Sequence, residues 1–64
     1  MAATVITNTD KLAAVRREIA LRTKVYPRLI REGVMSPEKA NRELALMQAI
    51  AADYERLAEG ERLL

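Results

Sequence analysis

Few side chains in this chain are of types and spacings that could do chemistry, and most of those have a plainer use. The chain has no His, so Ser36 or a Thr could become a nucleophile only with Lys or a carboxylate as its base. Ser36 also stands directly before Pro37, where a helix start would use its hydroxyl as a cap. Glu55, Glu59 and Glu61 form an acidic cluster in sequence, yet Glu55 and Glu59 have the four-residue spacing of neighbours on one exposed helix face. They lack the oxygen-rich loop of a calcium site, and a di-metal helical bundle would need Glu-x-x-His pairs. There is no Cys, and the two Gly residues do not form a phosphate loop. The expectation is a non-enzymatic protein with no catalytic residues, no metal and no cofactor.

Two other charge patterns carry more information. Arg17, Lys24, Arg28 and Arg31 fall within about 60° of one another around a helix, a basic face on which nucleic-acid phosphates could dock. Against that reading, Tyr26 and Tyr54 are the only aromatic residues and both sit in apolar register, leaving no platform for stacked bases. Arg22 and Glu43, by contrast, occupy positions where the helical period calls for an apolar residue. Folding the chain back at Val34 and Met35 brings them close, so they are expected to form a buried ion pair, joined by the Tyr26 hydroxyl. Such a pair would fix register more than it would add stability.

The elements that position these residues are two amphipathic helices. Thr7-Asn8-Thr9-Asp10 has the spacing of a capping box, with Asp in place of the usual Glu or Gln. A first helix is therefore expected over about residues 10–32, its start falling near residues 8 to 10, after a flexible tail at 1–9. Its apolar stripe is Leu12, Val15, Ile19, Tyr26, Leu29 and Ile30, at three- and four-residue spacing. Pro27 interrupts the helix and costs roughly 3 kcal/mol, but the stripe keeps its register across it, so a kink is expected rather than a break. Gly33 can take the left-handed conformation that ends a helix, Val34 can close that cap with an apolar contact, and residues 33–36 make the turn. The second helix is expected over about residues 37–58, fraying near Gly60, with Ala40, Leu44, Met47, Ile50, Ala51, Tyr54, Leu57 and Ala58 on one face.

The reading is thus an all-α helical hairpin whose first helix is kinked. Sixty-four residues allow one small domain, and with no Cys or His neither disulfides nor zinc can staple it. A lone hairpin has one internal groove and leaves its large side chains half exposed. The apolar residues therefore read as a self-association core, namely Leu12, Val15, Ile19, Tyr26, Leu29, Ile30, Leu44, Met47, Ile50, Tyr54 and Leu57. A homodimer closing into a four-helix bundle is the simplest arrangement. The net charge is +2, unevenly spread: Asp10 to Glu32 holds seven basic and three acidic residues, and Ser36 to Leu64 holds four and six. A basic helix and an acidic helix can complement each other's flanks, or the basic one can bind an anion. No targeting segment or membrane span is visible, and Cys-free composition fits a cytoplasmic location.

The stretch from Val25-Tyr26-Pro27-Arg28 through Gly33, with Met35-Ser36-Pro37-Glu38-Lys39-Ala40 and Glu43 to Asp53-Tyr54, resembles small uncharacterised helical proteins encoded by phages and prophages of proteobacteria. The resemblance covers roughly half of the chain and brings no known activity. It supplies context and no mechanism; the expectation set beside it is a phage-encoded accessory or host-modulating factor whose exposed faces bind another protein. In length and hairpin plan the chain is also similar to a small RNA-binding dimer that controls plasmid copy number, a likeness of architecture that transfers no function. The functional expectation is a self-associating interaction protein, and the rival is a dimeric bundle that binds RNA or DNA through Arg17, Lys24, Arg28 and Arg31.

Overall fold

A computed structural model describes residues 4–63. Two antiparallel helices, α1 (Asn8–Arg31) and α2 (Pro37–Arg62), form a hairpin. The start of α1 follows from its capping box: the Thr7 hydroxyl accepts the Asp10 N–H at 3.0 Å, and the Asp10 carboxylate accepts the Thr7 N–H at 3.1 Å. Two of the donors that every helix start leaves unpaired are thereby satisfied. The helix then runs unbroken through Pro27. Thr23 and Pro27 are both exposed, so water can serve the Thr23 carbonyl that Pro27 cannot bond.

The turn is a Schellman closure. Gly33 has φ +75°; its N–H donates to the Ile30 carbonyl at 3.1 Å and the Val34 N–H donates to the Leu29 carbonyl at 2.9 Å. The apolar half of this cap is missing, because Val34 stays 71% exposed. Ser36 then caps α2, its hydroxyl accepting the Lys39 N–H at 3.1 Å, with Pro37 in the first turn.

One expected boundary needs correction. α1 starts at Asn8, within the expected start, and residues 1–3 of the expected tail lie outside the described residues. At the other end α2 continues through Gly60 to Arg62, four residues past the expected end. Glu61 joins the two helix ends. Its carboxylate accepts the Asn8 N–H at 2.8 Å and the Thr9 N–H and hydroxyl at 3.2 Å. An acid from the last turn of α2 thus caps the positive end of the α1 dipole and ties the start of α1 to the end of α2.

The hairpin is one helix layer. Its smallest dimension is 13 Å, close to the width of a single helix. Among the described residues only Leu12, Ala40 and Ala58 are buried. Ala40, Ala51 and Ala58 share a stripe on α2, and their small side chains let α1 approach closely.

Gly33 and Gly60 should respond oppositely to alanine. Neither has an atom within 4 Å of a would-be Cβ, so only backbone conformation matters. Gly33→Ala should cost about 1 kcal/mol because its φ is left-handed. Gly60→Ala, within a helix, should stabilise by about 1 kcal/mol. Urea melts at one fixed protein concentration test both.

Hydrogen bonds from the Asn8 backbone first, then from Thr9, hold the Glu61 carboxyl below its ordinary pKa of 4.5. A depressed carboxylate contributes stability above its unfolded pKa and loses it as pH falls through the folded value. Thermal melts should therefore show the native chain more stable than a Glu61→Gln variant at pH 7, with the gap closing below pH 4.5. A gap that is the same at acid pH would contradict the cap.

Candidate functional site

Contacts between the helices show which side of the hairpin each residue occupies. On one side Arg22 stands 3.9 Å from Glu43, and the Lys11 ammonium lies 5.6 Å from the centre of the Tyr54 ring. On the other side Arg16 reaches Glu55 at 3.4 Å. Leu21 and Val25 of α1 line one groove with Arg22 and Glu43, and at about 100° per residue Leu46, Ile50 and Leu57 of α2 share the side of Glu43. The Arg16 side carries smaller or polar residues, among them Ala20, Thr23, Gln48 and Ala52.

The first side is apolar and open. Leu21 is 55% exposed, Leu46 43%, Ile50 41% and Leu57 52%. Near the turn the two helices part around a groove of about 520 Å³, lined by Leu21, Val25, Tyr26 and Met35 together with Glu18, Arg22 and Glu43. The charges in this groove are mutually satisfied. Arg22 Nε donates to Glu18 at 2.8 Å and Arg22 Nη1 to the Tyr26 hydroxyl at 3.5 Å, beside Glu43. The Glu18 bond holds the Arg22 guanidinium above its ordinary pKa, so it stays a cation at any relevant pH.

These observations correct the expected ion pair in two respects. Arg22 and Glu43 do meet, but at 31% and 37% exposure they are not buried, because one hairpin has nothing to lay over them. The shorter bond goes to Glu18, one helical turn before Arg22, a four-residue spacing from which sequence could have named it.

The expected core also divides. Leu12 is buried inside the single hairpin and is not available to a partner. Val15, Ile19, Tyr26, Leu29, Ile30, Leu44, Met47 and Tyr54 are half-buried between the helices, and Ile50 and Leu57 are exposed. Leu21, Val25 and Leu46 belong to the open face and were absent from the expected stripe. They lie beside or beyond its edge round the helices, and the four-residue spacings of Leu21 with Val25 and of Leu46 with Ile50 are the signal that could have found them.

Arg17, Lys24, Arg28 and Arg31 are all exposed on the outer side of α1, with Arg28 3.5 Å from Glu32. Of the acidic cluster, Glu55 pairs with Arg16, Glu59 with Arg62, and Glu61 caps α1. Neither helix is long and apolar enough to cross a membrane. No protein-family model, curated protein or solved structure matches this chain.

Proposed function

We propose that the protein is a non-enzymatic helical interaction module that self-associates, the open apolar face of one copy covering that of a second to make a four-helix bundle. The observation that carries this reading is the exposure of Leu21, Leu46, Ile50 and Leu57 on one side of a single helix layer. The hairpin presents 5122 Å² of accessible surface at 7.2 kDa, where a compact monomer of that mass presents about 4100 Å². The excess is similar to the roughly 800 Å² each partner buries in a stable interface. Two layers are also the minimum that lets helices bury an apolar stripe. A copy of the same chain suits this role because twofold pairing needs one self-complementary face.

The outer side of α1 supports a second reading. Arg17, Lys24 and Arg31 make no ion pair among the described residues, and pairing two hairpins would double the stripe for RNA or DNA phosphates. Binding by this route would fall steeply with added salt and weaken on charge reversal at Arg17 and Lys24. No retention on nucleic acid at low salt would remove it.

For the leading reading, Ile50→Glu should weaken association at least thirtyfold, roughly the 2 kcal/mol expected when an interface centre loses an apolar anchor and gains a charge. Lys24→Gln, on the outer edge, should leave it unchanged. Size-exclusion chromatography over a concentration series reads both. Identical elution of native chain and Ile50→Glu at every concentration would overturn the proposal.

A further inference from the structure

We infer that the basic outer face of α1 is a docking surface for double-stranded B-form DNA, held through the phosphates of both strands. The inference rests on the nucleic-acid reading above and names its ligand. From Lys11 to Arg31 the only acidic residue is Glu18, and it lines the groove on another side of the helix, bonded to Arg22 at 2.8 Å. Arg17, Lys24, Arg28 and Arg31 therefore make a line of positive charge about 21 Å long, at 1.5 Å of rise per residue, with no carboxylate inside it. The acids stand at its ends. Asp10 there is bonded to the Thr7 N–H, and Glu32 lies 3.5 Å from Arg28. At about 100° per residue Arg17 and Arg28 fall on one flank of the line and Lys24 and Arg31 on the other, so the cations form two rows.

Charge density favours a duplex. An attraction made of charge alone is strongest for the densest polyanion, and a duplex carries one phosphate per about 1.7 Å of axis where one of its strands carries one per about 3.4 Å. Single strands are held by stacking their bases on aromatic rings, and no aromatic residue lies among these cations. Tyr26 and Tyr54 are both half-buried between the helices, with the Lys11 ammonium 5.6 Å over the Tyr54 ring. Groove shape separates DNA from RNA. The B-form major groove, about 12 Å wide, admits an α-helix with a backbone on each side, one for each row of cations, whereas the A-form groove is too narrow for side chains to enter. α1 forms one edge of a layer 13 Å thick, and its basic rows point outward with α2 behind them, so nothing within the hairpin obstructs the approach.

Fluorescence anisotropy with the full chain and a labelled DNA duplex of about 20 base pairs, from about 50 to 200 mM salt, reads the interaction. Affinity should fall about a hundredfold across that range, as four phosphate contacts imply. The single strand of the same sequence and the matching RNA duplex should bind at least about tenfold more weakly at the low-salt end. Arg17→Gln combined with Lys24→Gln should reduce the fall with salt to about tenfold, since two contacts remain. Arg56→Gln, exposed on α2, should leave the fall unchanged, and circular dichroism checks that each variant keeps its helices. Equal or tighter binding of the single strand or the RNA duplex would overturn the choice of ligand and leave nucleic-acid binding standing. No binding of any of the three at the low-salt end would remove both. A salt dependence that the double change leaves intact would put the contacts elsewhere than α1 and overturn the inference.

Discussion

An amphipathic helix is stable only where its apolar stripe is covered, and two helices side by side cover only the edges that touch. The division of this hairpin's apolar residues into covered and open follows from that limit. Leu12 and the small Ala40 and Ala58 fill the shared edge, while Leu21, Leu46, Ile50 and Leu57 point out of the layer on one side. Apolar groups left in water contribute nothing to folding, so covering this face would add stability in proportion to the apolar area it removes from water. The uncovered face is thus at once the energetic deficit of the fold and its most specific surface.

What holds a single hairpin in register is mostly polar and lies near its ends. Gly33 closes the turn, Thr7 and Ser36 cap the two helices, and Glu61 reaches across to Asn8 and Thr9. Arg16 with Glu55 and Arg22 with Glu43 add bridges along the length. Exposed pairs of this kind are individually weak. They decide which residues stand level far more than they decide whether the chain folds, and the level of each apolar residue determines what a second copy would meet. Arg22 has a particular place here: bonded to Glu18 and Tyr26, it enters the rim of the apolar face with its donors already engaged, so covering the groove would not strand a bare charge.

The hairpin, its turn and the capping box at Thr7 were legible in the sequence because each is decided locally: φ at Gly33, hydroxyls three residues before the N–H groups they cap, apolar residues three and four apart. The end of α2 was not legible. A Gly near a helix end signals fraying, and the bonds of Glu61 to Asn8 and Thr9, which tie the last turn to α1, join residues more than fifty apart in sequence. The open face was half legible, with Ile50 and Leu57 on the expected stripe and Leu21, Val25 and Leu46 off it. A period of 3.6 says which residues share a stripe, but not how much of that stripe a neighbouring helix will cover. For the same reason Arg22 and Glu43 were placed together correctly and buried wrongly.

The account stands most directly on whether helicity depends on meeting a second copy. Circular dichroism and light scattering on one dilution series should show helical signal and mass falling together, from a species of twice 7.2 kDa toward an unfolded chain. A fully helical 7.2 kDa species that persists unchanged at the lowest concentrations would contradict it.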